Sequence, residues 1–154
     1  MLKTTAGLTM AIALAAMTTA ASAQSFTFKA KRGDITQLGG IGTNGSLYTG
    51  GHWKGTYAAT FDGEDVVTGT YECAATNQPP GIFHMHAACT MTQPDGTFTS
   101  AWGCNPYDQK GMEMGCVAGL HGRSGRFEGL VGVASSHLKG ADSDGSGQFY
   151  KVGE

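Results

Sequence analysis

After residue 23 the chain alternates short hydrophobic segments with turn residues. The segments are rich in Val, Thr, Tyr, Phe and Trp, and pairs such as Asp-Gly, Pro-Gly and Lys-Gly separate them. Such a pattern predicts β-strands, because β-branched and aromatic side chains favour strands whereas glycine, proline and aspartate accept turn dihedrals. Eight strands are predicted, over residues 25–31, 52–61, 64–75, 82–92, 97–104, 112–120, 130–139 and 147–152.

The connections between these segments determine how the strands pair. Parallel neighbours need crossovers of about a dozen residues or more, usually helical. No window beyond residue 23 has the 3.6-residue apolar period of an amphipathic helix. The strands are therefore predicted to be antiparallel. The glycine-rich stretch 33–51 is predicted to be a long loop that covers one end of the fold.

Period-two alternation gives each predicted strand one apolar face. In the fourth strand Phe83, Met85 and Cys89 share a face, whereas His84 and His86 lie on the other. The corresponding apolar sets in other strands are Trp53, Tyr57, Ala59 and Phe61; Tyr71, Cys73 and Ala75; Phe98, Trp102 and Cys104; and Met112, Met114, Cys116, Ala118 and Leu120. A sheet of this kind wraps around its own core. We therefore predict an all-β fold, an antiparallel β-barrel of about eight strands that forms a single domain over residues 24–154.

Residues 1–23 have a different pattern. Lys3 is followed by an apolar run over residues 8–17 and by small residues that end in Ala21-Ser22-Ala23. This order is typical of a secretory signal peptide of bacterial type. The run is shorter than the roughly 20 apolar residues that a membrane-spanning helix needs. We predict cleavage after Ala23 and release into the periplasm or the medium, with no membrane anchor afterwards.

Export determines the interpretation of the four cysteines, Cys73, Cys89, Cys104 and Cys116. An oxidising compartment favours two disulfides, and the close Cys-x-x-Cys pair of structural zinc sites is missing. A two-residue Asp95-Gly96 turn would place Cys89 opposite Trp102, which leaves Cys104 too far away for a bond to Cys89. Cys73–Cys89 and Cys104–Cys116 match in parity across neighbouring strands and are the preferred pairs. The other two connectivities stay open.

Composition and charge exclude one class of partner. Ten Lys and Arg residues stand against twelve Asp and Glu residues in 154, which gives a net charge of −2. No cationic field is present to hold a phosphate backbone, so we expect no nucleic-acid partner. The 25 glycines indicate many tight turns.

A glycine-rich motif precedes the last strands of the chain. It consists of Gly122, Gly125, Arg126, Phe127, Gly129 and Gly132. It resembles the stretch Gly-Thr-Gly-(Arg/Lys)-(Phe/Tyr)-x-Gly-(Ala/Val)-x-Gly of the allene oxide cyclase-like barrel family. The resemblance implies an eight-stranded antiparallel barrel with an apolar interior. It does not imply the cyclase reaction, because none of the plant enzyme's catalytic positions matches this chain. On physical grounds alone, Gly125 and Gly129 suit positive φ and Phe127 is predicted to fill the barrel end.

Candidate metal-binding motifs are weak. His84 and His86 share one face of a strand and could chelate a copper or zinc ion, but Met112 and Met114 lie on the opposite face. The run Asp142-Ser143-Asp144-Gly145 is predicted to be a turn and lacks the later glutamate of a calcium loop. We predict no metal site and no cofactor.

Candidate catalytic motifs are equally weak. Ser135 or Ser136, His137 and Asp142 lie too close together along the chain for the converging geometry of a triad. Acidic pairs such as Glu64 with Asp65 lie in predicted turns, where carboxylates are solvated. We predict no catalytic residue.

The interior of the predicted barrel is the best candidate site. A barrel of about eight strands is just wide enough to be filled by side chains or to hold one small ligand. We predict that a small hydrophobic molecule contacts the inward side chains of Trp53, Tyr57, Phe83, Met85 and Trp102. A filled interior would instead indicate a structural role. The alternatives are an isomerase or cyclase that uses the lumen, and a periplasmic copper-binding protein.

Overall fold

The computed structural model describes residues 23–41, 47–77, 82–107 and 113–152. These residues form eight strands, β1 (Gln24–Ile41), β2 (Leu47–Phe61), β3 (Val66–Asn77), β4 (Met85–Gln93), β5 (Gly96–Pro106), β6 (Glu113–Gly125), β7 (Leu130–Lys139) and β8 (Asp142–Lys151). Each strand pairs antiparallel with the next, and β8 pairs with β1, so the sheet is a closed barrel. The all-β antiparallel barrel predicted from the sequence is confirmed. Residues 1–22, which make up nearly all of the predicted signal peptide, lie outside the described residues.

The connections alternate between the two ends of the barrel. The turns 62–65, 94–95 and 126–129 lie at one end, which we call the closed end. The ends of β1, β3, β5 and β7, at Ile41, Asn77, Pro106 and Lys139, lie at the other, which we call the open end. Over residues 26–31, β1 pairs with both β2 and β8, so the ring is closed along this length, whereas beyond Arg32 β1 pairs with β2 alone.

A cluster of aromatic side chains fills the closed end. Its buried members are Phe26, Tyr57, Phe61, Phe98, Phe127 and Phe149, packed with Ala59, Ala118, Leu120 and Ala134. Phe127 is completely buried, and its ring centroid lies 4.8 Å from that of Phe98 and 5.0 Å from that of Phe149. The expectation that Phe127 fills the barrel end is confirmed.

Arg126 closes this end from outside the aromatic cluster. Its guanidinium carbon lies 4.5 Å from the centre of the Phe61 ring, and its nitrogens bind Glu64 and Asp95. Gly125 and Gly129 flank it with φ of 61° and 75°, as the sequence predicts. These two dihedrals let the chain reverse between β6 and β7 while Phe127 points into the core.

Two segments that the sequence predicts to be connections belong largely to strands in the structure. Most of the predicted loop 33–51 extends the β1–β2 hairpin, which pairs up to Ile41 and Leu47 after a register shift between Arg32 and Ile35. The predicted turn 142–145 is the start of β8, and the turn itself is Gly140 and Ala141. Both segments carry glycine together with serine or threonine. Their backbones pair although their side chains give no apolar alternation.

Many glycines lie within strands, which corrects the expectation that turns explain most of them. Gly145 and Gly147 of β8 lie directly opposite Phe28 and Phe26 of β1. A Cβ atom at either glycine would lie within 2.8 Å of ring carbons of the opposing phenylalanine. The missing side chains therefore make room for the large rings inside a narrow barrel.

The two disulfides are Cys73–Cys89 and Cys104–Cys116, as preferred from the sequence. The cysteines of each pair lie directly opposite one another on neighbouring strands. The assumed β4–β5 turn was wrong, because the turn residues are Pro94 and Asp95 and Cys89 lies opposite Ser100. The error changes each cross-strand partner by two residues, which keeps every side chain on its predicted face.

Candidate ligand-binding site

The barrel interior contains a cavity on the open-end side of the aromatic cluster. The inner part, which we call the chamber, has a volume of about 90 Å³. Phe28, Trp53, Met91 and Trp102 supply much of its wall, and both disulfides face it. Small residues at Ala30 and Ala87 leave the centre unfilled at this level of the barrel. The interior is therefore packed at one end and hollow at the other.

The indole of Trp102 and the hydroxyl of Ser136 are paired within the protein. The Trp102 indole N–H donates to Ser100 Oγ at 2.9 Å, and Ser136 Oγ donates to the carbonyl oxygen of Asp144 at 3.1 Å. Among the described lining residues there is no carboxylate and no imidazole. A molecule in the chamber therefore meets carbon and sulfur on most of its surface, and such a wall favours an apolar ligand.

The chamber continues into a wider space toward the open end. This space, which we call the vestibule, has a volume of about 350 Å³. Trp53, Tyr71 and Met85 line both the chamber and the vestibule, so the two parts are adjacent. The vestibule also contains Arg32 and Gln37, which makes it more polar than the chamber.

Tyr71 lies at the junction of chamber and vestibule. Burial raises the pKa of its phenol above the ordinary value, while the positive charge of Arg32 and a hydrogen bond from Trp53 act in the opposite direction. The Tyr71 hydroxyl is therefore neutral at physiological pH. Because its oxygen accepts from the indole N–H of Trp53, its own proton is available to a ligand.

The structure brings three of the five predicted ligand contacts together. Trp53, Met85 and Trp102 all line the chamber. Tyr57 faces inward but belongs to the aromatic cluster, where its hydroxyl donates to Gln93 Oε1 at 2.9 Å. Whether these residues contact a ligand stays a prediction.

The inward orientation expected for Phe83 was wrong. Its ring packs edge-on against the exposed His86 at a centroid distance of 5.5 Å and covers Gly103 on the outer face of β5. Residue 83 precedes β4, which begins at Met85. Strand alternation therefore does not extend to this position.

Sequence reasoning missed Arg32 and did not select Tyr71 as a site residue. Phe26, Phe28 and Ala30 face the interior, and Arg32 occupies the next alternate position of β1. Continuing the period of two by one step would have placed this charged side chain inside the barrel. Tyr71 was already assigned to the apolar face of its strand.

The candidate metal ligands do not converge. His84 and His86 are exposed, whereas Met114 lines the vestibule, and Met112 lies outside the described residues. Asp142 and Asp144 are exposed residues of β8. Within the described ranges, no group of three or more His, Cys, Asp or Glu side chains is placed to hold a metal ion.

Comparison with known proteins adds no family assignment. No protein-family model matches this chain, and a search of curated proteins found no match. Over the residues that the structure describes, no helix has the length and hydropathy needed to cross a membrane.

Proposed function

We propose that this protein binds one small hydrophobic molecule inside the barrel. The observation that carries the proposal is the chamber, whose lining is almost entirely apolar although it lies in the middle of a closed sheet. A structural barrel of this width would be filled by side chains along its whole length. Here rings pack against one another at the closed end, whereas Ala30 and Ala87 leave the centre of the barrel unfilled at the level of the chamber.

The volumes limit the size of the ligand. An apolar cavity of about 150 Å³ engineered in another protein is large enough to bind benzene. The chamber alone is smaller, at about 90 Å³, but it continues into the vestibule. A molecule that enters the chamber with part of a ring and has its remaining atoms in the vestibule fits this shape.

The proposal includes export and a family relationship. The two disulfides favour an oxidising compartment, and the leader-like residues 1–23 favour secretion or release into the periplasm. The closed eight-stranded barrel is the architecture that the allene oxide cyclase-like motif implies. We therefore retain kinship with that family as a proposal about fold ancestry, without its reaction.

The test uses indole and toluene as probes and calorimetry as the measurement. Wild-type protein should bind at least one of them. Ala87→Leu should weaken that binding about tenfold or more, because Ala87 lines the chamber and a leucine there occupies space that the probe needs. Both tryptophans of the chain line the chamber, so their fluorescence should change on binding.

Ala88→Leu is the matched control. Ala88 is the next residue of the same strand, but it is exposed on the outer face. This variant should bind the probes like wild type. Circular dichroism and urea unfolding of both variants would show that they are folded. Equal probe affinity in Ala87→Leu and wild type, or no binding of either probe by wild type, would reject the chamber as the binding site.

A further inference from the structure

Arg32 is held at a fixed position at the rim of the chamber. Its backbone N–H donates to the carbonyl oxygen of Ala141 at 2.8 Å, which ties the end of the regular part of β1 to the β7–β8 turn. The register shift between Arg32 and Ile35 begins at this residue. Its side chain lines the vestibule together with Tyr71.

The guanidinium of Arg32 lacks the partners that such a group usually has in proteins. Nη2 donates to the carbonyl oxygen of Gly140 at a long distance of 3.4 Å, and the buried Nε has no hydrogen-bond partner. Among the described residues no carboxylate lies within 4.0 Å of it, whereas Arg126 binds both Glu64 and Asp95. A buried donor without an acceptor is unfavourable and is uncommon in folded proteins.

The acidic residue that lines the vestibule does not supply the missing acceptor. Asp142 lines the vestibule, but it is exposed and lies directly opposite Lys31 across β1 and β8. Lys31 is the residue next to Arg32 and is also exposed. The positive charge of Arg32 is thus left uncompensated inside the vestibule, next to a chamber that is apolar.

We propose that Arg32 binds a carboxylate of the ligand, so that the ligand class is a compact hydrophobic carboxylate. This inference rests on the proposed function. The ring of such a molecule extends into the chamber, and its carboxylate lies in the vestibule. Guanidinium groups bind carboxylates through two parallel N–H···O hydrogen bonds, and the unpaired Nε is one of the donors suited to that geometry.

Tyr71 supplies a second donor for the same group. Its hydroxyl accepts from Trp53 and retains its own proton, and it lines both parts of the cavity. One guanidinium charge matches a monoanion such as a carboxylate. A phosphate ester, which carries about two negative charges at neutral pH, would remain only half neutralised there.

The test compares benzoate with benzamide, which has a similar shape and no charge. Calorimetry with wild-type protein should show benzoate binding about tenfold or more tightly than benzamide, because hydrogen bonds to charged groups are the stronger class. Arg32→Gln should abolish this preference, with a larger loss of affinity for benzoate than for benzamide. Phenyl phosphate should bind wild type more weakly than benzoate does.

Lys31→Gln is the matched control, since it removes the same charge from the adjacent outward position. It should keep the preference for benzoate. Without ligand, Arg32→Gln should unfold at the same urea concentration as wild type or a higher one, since it removes an unpaired buried donor. Added benzoate should raise the unfolding midpoint of wild type and of Lys31→Gln only.

The outcomes separate this inference from the function on which it rests. If benzamide and toluene bind but benzoate is not preferred, or if Arg32→Gln keeps the preference, the carboxylate assignment is wrong and the apolar chamber remains a binding site. If none of the three probes binds to wild type, the proposed function is wrong and the role of Arg32 is rejected with it.

Discussion

Tyr57 lies directly opposite Gly69 across strands β2 and β3, and its ring covers the glycine. A Cβ atom at Gly69 would lie 2.6 Å from Tyr57 Cε1 and 2.5 Å from the carbonyl oxygen of Thr92. The same strand pair holds the reverse arrangement two residues away, where Tyr71 covers Gly55. Glycine opposite an aromatic residue is therefore how this barrel accommodates large rings without widening.

Gly69→Ala should destabilise the protein. The added methyl group meets both a ring and a backbone oxygen at distances that real Cβ atoms do not show, so strands or side chains must move. Overpacking of this kind costs about 1–3 kcal/mol of unfolding free energy. Urea denaturation followed by tryptophan fluorescence would measure the loss.

Gly119→Ala provides the matched control for that substitution. Gly119 lies in β6, where a Cβ atom would have no neighbour within 4 Å. Alanine there should leave stability within about 0.5 kcal/mol of wild type or raise it slightly, because the unfolded chain loses conformational freedom. Similar losses in both variants would show that the Tyr57–Gly69 packing is not the cause.

Fold class and disulfide pairing were predictable because both depend on side-chain parity. The alternation of large apolar and polar residues around Cys73, Cys89 and Trp102 specifies which face is buried, and that face does not change when the register shifts by two residues. The incorrect prediction of the turn between β4 and β5 therefore did not change the predicted disulfide pairing. Where aromatic residues alternate, sequence reasoning placed the strands well.

The same logic failed where small residues or strand ends are involved. The extension of β1 beyond Arg32 has three glycines among nine residues and apolar residues that do not alternate, and the start of β8 consists of aspartate, serine and glycine. Such segments can pair as strands but show no apolar period. Phe83 lies just before a strand, so alternation did not apply to it. Arg32 was missed because a charged residue is not expected to face inward unless a ligand or a partner needs it.

Tyr57→Phe should destabilise the protein, because it removes the hydrogen-bond donor of a buried glutamine. The Tyr57 hydroxyl donates to Gln93 Oε1, and Gln93 is only 5% exposed. Without that donor the amide oxygen is buried and unpaired, which costs about 1–3 kcal/mol. Urea denaturation measures this change. The control is Tyr150→Phe, because Tyr150 lies on the opposite face of β8 from the buried Phe149. This control should change the unfolding free energy by under about 0.5 kcal/mol.

A second substitution distinguishes the lost hydrogen bond from lost packing. Gln93 also donates to Asp95 Oδ1 at 2.8 Å, so Gln93→Leu has its own cost. In the double variant Tyr57→Phe with Gln93→Leu, no unpaired amide oxygen remains. The double variant should therefore lose less unfolding free energy than the two single variants lose together. Strictly additive losses would contradict the hydrogen bond between Tyr57 and Gln93.

Replacing one disulfide with alanines should remove a large part of the protein's stability. Cys104 and Cys116 are separated by 12 residues in the chain, and a closed loop of that length corresponds to about 3 kcal/mol of chain-entropy stabilisation. The variant Cys104→Ala with Cys116→Ala should lose stability of that order under oxidising conditions. Under reducing conditions its difference from wild type should shrink, since wild type then also lacks the bond.

Peptide mapping without reduction checks the pairing itself. Proteolysis of wild type should release Cys73 linked to Cys89 and Cys104 linked to Cys116. Recovery of any other linkage would contradict the registers of β3 with β4 and of β5 with β6. The variant Cys104→Ala with Cys116→Ala should still release the peptides that Cys73 and Cys89 link.

Stability should fall in acid because Arg126 holds two carboxylates in their charged form. Hydrogen bonds from Arg126 lower the pKa of Glu64 below its ordinary value. Burial raises the pKa of Asp95, but hydrogen bonds from Gln93 and Arg126 outweigh that effect and lower it overall. A depressed carboxyl pKa stabilises the folded state above the pKa of the unfolded chain, and this stabilisation is lost as the pH falls through the folded-state pKa.

Arg126→Gln should therefore lose stability at pH 7 and show a shallower decline between about pH 5 and pH 3 than wild type. The control is Arg123→Gln, which removes the same charge from an exposed position of β6. Glu72 and Glu113 also have lowered pKa values, through hydrogen bonds from their histidine and lysine neighbours, but these groups are present in all three proteins. The difference between the Arg126→Gln and wild-type urea midpoints across this pH range therefore reports on Arg126, and a constant difference would show that Glu64 and Asp95 do not depend on it.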